Sequence, residues 1–298
     1  MTSDRTEQAD TTDGDLFKPR SDAFFYTGLG LLCGFYIFMI LAMLIFDSYH
    51  TFFGEKDYEA TAESIDGQDQ HQDRTPILAA LADENIQYSI KLSLISCTLT
   101  TILALWVSVP IGYVMSRSNF WGKALVDAVL DIPIVLPPLV IGISLLIIFR
   151  YAPFAWISDW VVFEIPAVIF AQFMVACAFA VRTMRTTFDQ IPQRQERVAL
   201  TLGCSQGDAF WRVVLPQARR GMIAAGTLAW ARSLGEFGPI LMFAGSSRLK
   251  TEVLPTSVFL EIESGNLQAA LAVSLIMIVM AMVVLIIARS FGLRRGFY

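Results

Sequence analysis

Arg232 and Glu236 stand four residues apart inside Met222–Ala244, a stretch that is otherwise mostly apolar. An ionised side chain at membrane depth is costly, and it usually faces a bundle interior or a water-filled path. The i,i+4 spacing places both groups on one helix face, where they can pair. Two chemistries fit such a pair. Either Arg232 meets a passing anion while Glu236 tunes its field, or the two form a neutralised strut that touches no substrate. Ser233 sits between them in sequence, and Gly235 and Gly238 permit close helix approach or local distortion. Elsewhere the residue types do not converge on covalent or metal chemistry. His50 and His71 are isolated in an acidic stretch, and Cys33, Cys97, Cys177 and Cys204 are scattered at no zinc spacing. No glycine-rich phosphate cradle ending in Gly-Lys-Ser/Thr occurs. The sequence therefore predicts no catalytic residue, no metal and no cofactor.

The elements that must position Arg232 and Glu236 follow from composition. The chain has 298 residues, of which 55% are hydrophobic and 16% charged, against about 25% charged in soluble domains. Disorder, collagen and a disulfide scaffold do not fit this balance. A net charge of −5 gives no reason to expect nucleic acid as a partner. An integral membrane protein remains. Spanning helices need about 20 mostly apolar residues, and six stretches qualify: Phe24–Phe46, Ile90–Met115, Leu125–Phe149, Ile165–Val181, Met222–Ala244 and Leu271–Ala288. The fold class is thus all-α, with six transmembrane helices. The third stretch carries Pro133, Pro137 and Pro138, which form either a gate hinge or a fixed kink. Tyr151–Val162 is apolar but too short to span, and is expected at the interface. Phe24–Phe46 exceeds the roughly 7–15-residue apolar core of a cleaved signal, so it reads as a retained helix.

Loop charge sets the orientation. Residues 47–87 hold ten acidic residues against Lys56 and Arg74, whereas Arg182–Arg220 holds seven arginines. Arg117 and Lys123, Lys18 and Arg20, and Arg289, Arg294 and Arg295 all fall on the same side as that arginine-rich segment. That side is cytoplasmic and carries both termini. Asp127 and Asp131 lie near it and are expected to be solvated at the interface. The expected organisation is a cytoplasmic tail over 1–23, a first helix over 24–46, an acidic outer loop over 47–87, a core over 88–289 and a cytoplasmic tail over 290–298.

The segment 182–220 is long for a helix connection, yet it reads as ordered. Pro192 suits a first helical turn, Gln193–Leu202 has helical composition, and Gly203 suits a C-terminal stop. Ser205 and Asp208 have capping-box spacing. A second short helix should follow through Ala209, Phe210, Val213 and Val214, with Pro216 ending it. Two capped helices about a glycine turn make a compact knob whose apolar residues need a partner surface. That partner is either the bundle itself or another protein.

The spacing bears on this choice. Arg197-Val198-Ala199-Leu200-Thr201-Leu202-Gly203, a nine-residue gap, then Val213-Val214-Leu215-Pro216 resembles the EAA loop of ABC-importer permeases. The pattern departs at its first position, where Arg197 replaces the usual Glu and Glu196 stands one step earlier, and mildly at Val198. Ala231-Arg232-Ser233-Leu234-Gly235-Glu236-Phe237-Gly238 resembles a stretch of the molybdate, tungstate and sulfate branch, closest to the molybdate permease, and Leu254-Pro255 resembles the segment that follows it there. The likeness runs from about Tyr88 to Arg289. It implies a type I, methionine-importer-like permease fold in the bacterial inner membrane. It implies two permease copies, expected to be identical, with separate ABC ATPase subunits and an extracytoplasmic solute-binding protein. The implied docking loop contains Ala199, Gly203, Ser205, Asp208, Phe210, Trp211, Leu215 and Pro216, with Phe210 and Trp211 as apolar contacts. The implied translocation path contains Arg232, Ser233, Gly235, Glu236 and Gly238. The expected function is ATP-driven uptake of molybdate or tungstate, with a sulfate or thiosulfate permease as the alternative. A self-sufficient secondary anion carrier is a further rival, but no internal repeat supports it, and the Arg232–Glu236 pair argues mildly against a purely structural subunit.

Overall fold

The computed structural model describes residues 81–151 and 154–293, together with the helical positions Phe35, Phe38 and Ile45. The chain divides into two compact units, Met1–His50 and Thr51–Tyr298. In the first, the three described positions are exposed apolar residues, in keeping with a lipid-facing helix. The rest of the expected first span, the acidic loop up to residue 80, Cys33, His50, His71 and residues 294–298 lie outside the described residues.

Every regular element among the second unit's described residues is a helix. The unit is organised around α1 (Glu84–Arg117) and α5 (Ile165–Asp189). Asp83 caps α1 by accepting from the Asn85 backbone N–H at 2.8 Å. One face of α1 is a stripe of small residues at helical spacing: Ser89, Ser93, Cys97, Thr100, Ala104, Ser108 and Gly112 are all buried. Small residues let helices approach closely where lipid offers no hydrophobic drive for association. Gly112 shows the need directly, because an added Cβ would come within 2.8 Å of Met184 Cβ and 2.9 Å of the Arg185 backbone nitrogen. Thr100 donates to Gln172 at 3.2 Å, and Ser116 donates to Asp189 at 2.6 Å. These pairings keep nearly one sequence offset along both helices, so α1 and α5 run parallel. At about 1.5 Å per residue, the 34 residues of α1 far exceed the roughly 30 Å hydrocarbon core, and its ends must project.

Between them lie α2 (Lys123–Val135) and α3 (Pro138–Arg150), bent by 111°. The expectation of one kinked span over Leu125–Phe149 is corrected here: the chain breaks. Two consecutive prolines explain the break. Leu136 and Pro137, each preceding a proline, are pushed to extended backbone at ψ 141° and 132°. After a 3₁₀ turn at Ala155–Ile157 and the single-turn α4 (Ser158–Val161), Trp156 and Trp160 remain exposed. Exposed tryptophans at this point suit an interfacial stretch.

The knob contains α6 (Gln193–Thr201), α7 (Gln206–Ala209), a π-helical turn (Phe210–Val214) and α8 (Leu215–Gln217). Then come α9 (Arg219–Leu234), α10 (Gly238–Phe243), α11 (Leu254–Glu263) and α12 (Leu267–Leu293). A single helix over Met222–Ala244 is also corrected, because the chain opens at Gly235–Phe237 before resuming with Pro239 in its first turn. Among the described residues, α1, α5 and Leu267–Ala288 of α12 are long and apolar enough to cross a membrane, and the bent α2–α3 pair passes the same test as one broken span.

Candidate functional site: a capped knob and an ion pair at a helix break

The knob is built by local rules. Gly203 adopts φ +89° with open space around it, so the requirement is conformational rather than steric. Its N–H donates to Leu200 O at 3.0 Å, and the Cys204 N–H donates to Ala199 O at 3.1 Å. This is a Schellman motif, which satisfies carbonyls that the helix end would leave unpaired. Ser205 opens the next helix. Its hydroxyl accepts from the Asp208 N–H at 3.1 Å and donates to the Asp208 carboxylate at 2.6 Å. That hydroxyl holds the exposed Asp208 carboxyl below the usual carboxylate range. Ala199 and Ala209 are buried where the two arms meet.

The expectation that Pro216 ends the second arm is corrected. The helix runs on through Leu215–Gln217, and the π turn at Phe210–Val214 precedes the proline. A proline in a helix lacks an N–H and crowds the carbonyl four residues back, here Arg212. The widened turn gives that carbonyl room.

Phe210 and Trp211 have different surroundings. Phe210 packs inward, 4.7 Å from the Tyr113 ring centroid and 6.4 Å from that of Phe188. Trp211 is 67% exposed, with Leu202 at 79% and Val198 at 50% beside it in the same knob. Of the two expected apolar contacts, only Trp211 points outward. Leu202 and Val198, which sequence reasoning did not single out, complete the outward apolar surface.

Glu196 is the other residue that sequence reasoning missed. It accepts a short hydrogen bond from the Tyr113 hydroxyl and pairs with Arg117 Nε at 3.2 Å. Arg117 also donates to Ile191 O at 3.0 Å. The knob is thereby fastened to the last turns of α1. Tyr113 and Arg117 lie four apart on one helix face, but nothing local in the sequence pairs them with a residue about eighty positions away.

The Arg232–Glu236 pair forms as expected, but at a helix end rather than along an unbroken face. Arg232 Nη1 lies 2.6 Å from Glu236 Oε1, and Glu236 is 1% exposed. That oxygen is close enough for an ion pair yet poorly aligned for a hydrogen bond. The Arg232 guanidinium sits 5.8 Å from the Phe179 ring centroid, within cation–π range. The other expected path residues diverge. Ser233 is fully buried, donates to Ala229 O at 2.8 Å, and its carbonyl accepts from Gln172 at 3.3 Å. Gly238 is buried against α3, where an added Cβ would lie 3.1 Å from the Leu139 nitrogen. Gly235 is exposed at the break. Arg232 and Gly235 reach open space; Ser233 and Gly238 hold helices together.

The expectation that Asp127 and Asp131 are merely solvated is corrected as well. They are paired with Arg185 and Arg182 on α5. In the loop joining α10 and α11, Glu252 is fully buried, and burial raises its carboxyl above the usual range.

Residues 108–295 match the model for the binding-protein-dependent transport system inner membrane component family. The chain belongs to this family. Its relatives include the sulfate transport system permease protein CysW of Synechocystis, 30% identical over 76% of this chain and 84% of the relative. The molybdenum transport system permease protein ModB of Mycobacterium tuberculosis is 34% identical over 70% and 80% of the two chains. The molybdate/tungstate transport system permease protein WtpB of Pyrococcus furiosus is 32% identical over 74% and 84%. Among solved structures, a bacterial ABC transporter that imports alginate is similar at a TM-score of 0.69 and 14% identity, over 93% of this chain and 97% of that one. The MetNI methionine ABC transporter in inward-facing form is similar at 0.56 and 15% identity, over 70% and 97%. The fold of these importer permeases is therefore the fold of this chain, and the chain is an inner-membrane transport component.

Proposed function

We propose that the chain is the pathway subunit of an ATP-driven importer for a tetrahedral oxyanion, with molybdate or tungstate as substrate. The similarity to molybdate and tungstate permeases over most of their length carries this reading. An arginine held beside a buried carboxylate in the apolar fifth segment supports it. The alternative, sulfate, rests on the similarity to CysW.

The parallel course of α1 and α5 bears on the span count. If both cross the membrane in one direction, the chain must cross back between them, and only the bent α2–α3 pair lies there. With the broken α9–α10 segment as a further span, α12, and the first apolar stretch, the reading has six crossings, and the arginine-rich loops assign both termini and the knob to the cytoplasm in it.

In this reading the knob seats in a separate ABC ATPase, with Trp211, Leu202 and Val198 as its apolar contact. An external solute-binding protein delivers the anion, and a second copy of the chain completes the pathway. Glu196 passes the ATPase's movement to α1, and the bundle switches between two states that the ATPase binds unequally.

The test is ATP-dependent uptake of competing molybdate, tungstate and sulfate into vesicles with all partners present. The expected order is molybdate and tungstate ahead of sulfate. Sulfate preference selects the alternative, and uptake driven by a proton gradient without the ATPase overturns the reading. Deleting Gly203–Pro216 should abolish capture of the ATPase; retained capture overturns the docking role.

A further inference from the structure

Two ion pairs bridge α2 and α5 at the end of the bundle that carries the knob. Arg182 Nη2 donates to Asp131 Oδ2 at 3.3 Å, and Arg185 pairs with Asp127. Arg185 Nε also lies 4.0 Å from Asp189, which is already occupied by the Ser116 hydroxyl at 2.6 Å. The four charged side chains share a cavity of about 80 Å³, walled by Met115, Leu130 and Val181. A buried water needs roughly 10–15 Å³ of such space, so several waters fit here, as do the four oxygens of a tetrahedral anion.

A purely structural role explains this arrangement poorly. Arg182 is 63% exposed and Asp131 38%, and exposed ion pairs add little to stability. A strut also has no use for a polar cavity at its side. Position adds a second observation. Arg232 lies over Phe179, and Phe179 is three residues before Arg182 on α5, with Arg185 three further on. Those positions step along α5 toward its C-terminal end, each turned by about 60° from the one before. Three arginines thus succeed one another from the break after α9 to the end of α5. Each is held by a carboxylate: Glu236, Asp131 and Asp127.

A carboxylate and a tetrahedral oxyanion make the same kind of contact with a guanidinium, through paired oxygens on its N–H fork. One can replace the other with little change in geometry. The geometry points to an exit station at this cavity. Arg182 and Arg185 receive the oxyanion after Arg232, and Asp131 and Asp127 reclaim the arginines as it leaves. The displaced carboxylates stay close and repel the anion, which keeps the station weak and release fast. The carboxylates also shield the arginines from smaller anions between turnovers. This inference rests on the oxyanion reading above.

The test uses the assembled transporter with its ATPase. Equilibrium dialysis with radiolabelled molybdate, without the binding protein, reads affinity at the permease; uptake in proteoliposomes reads turnover. In the variant carrying Asp127→Asn and Asp131→Asn the arginines lose their competitors. Molybdate should then bind about tenfold tighter, with turnover falling by a similar factor, the size of one charge-assisted contact. Arg182→Gln should remove the dialysis signal, and Arg182→Lys should keep part of it. Gel filtration confirms assembly of each variant, and Asp131→Cys provides a second readout. Molybdate should protect the introduced thiol from a charged thiol reagent added from the cytoplasmic side. Asparagine variants that assemble but bind molybdate no tighter, or an Asp131→Cys thiol that molybdate leaves unprotected, overturn the station while wild-type uptake keeps the oxyanion function intact. A wild-type complex that takes up no oxyanion overturns both.

Discussion

The knob and the break after α9 are both places where a helix ends and another begins, and they are finished in opposite ways. In the knob, Gly203 closes a Schellman turn, Ser205 caps the next helix, and Glu196 has both carboxylate oxygens occupied by Tyr113 and Arg117. Around the break, the buried Glu236 keeps an oxygen without a well-aligned donor, and further along Glu252 has both oxygens without one. Buried polar groups are nearly always satisfied, and each exception calls for a reason. The contrast separates a segment whose ends are tied by local hydrogen bonds from one that keeps buried carboxylate oxygens without aligned donors.

That contrast can be broken most severely at Glu196. Glu196→Ala leaves Arg117 and Tyr113 without their partner at a mostly buried site. It should cost about 3 kcal/mol of stability in detergent and should uncouple ATP hydrolysis from uptake. Unchanged coupling would show that the knob does not act through α1. Trp211→Ala should weaken ATPase capture about thirtyfold, as expected for an interfacial aromatic anchor, while the apparent Tm of the permease alone stays unchanged. A shift in that Tm would mean Trp211 packs on its own bundle. Ser205→Ala removes a cap and should cost about 1 kcal/mol, read by hydrogen exchange confined to residues 205–214. In wild type the same region should loosen only as pH drops through the depressed range of Asp208, since a carboxyl held below its usual value stabilises above that value and loses the effect on protonation.

The smallest effect is expected at Glu252, and its sign is opposite. Burial raises this carboxyl above its usual 4.5, so the folded state favours the protonated form. Its contribution is fully present below 4.5 and is lost as pH rises through the raised value. Glu252→Gln should therefore raise Tm at neutral pH and leave it unchanged in acid. A Tm difference that does not vary with pH would remove Glu252 from the unsatisfied side of the comparison.

The knob was more legible in the sequence than the path, for physical reasons. Gly203, Ser205 and Asp208 act within a few residues of themselves, so spacing alone reveals their work. Apolar runs likewise located α1, α5 and α12, because burial in lipid is a property of composition. The breaks at Pro137–Pro138 and at Gly235 were harder to read, since the same residues can kink a helix or end it, and tertiary packing decides. Ser233 and Gly238 looked like pathway residues because they neighbour Arg232 in sequence. Their burial against Gln172 and Leu139 depends on helices far away in the chain. The pairing of Glu196 with Tyr113, and of Arg182 and Arg185 with Asp131 and Asp127, links distant segments that carry no local mark of each other.

The two broken segments meet at a pair of glycines. An added Cβ at Gly142 in α3 would lie 2.8 Å from Pro239 Cα in α10, and one at Gly238 would press on Leu139. Main chain and Cβ atoms thus lie directly against one another, with no room for a side chain at either glycine. The half-helices beyond the two interruptions are therefore closely fitted, and a side chain placed at either glycine would force them apart.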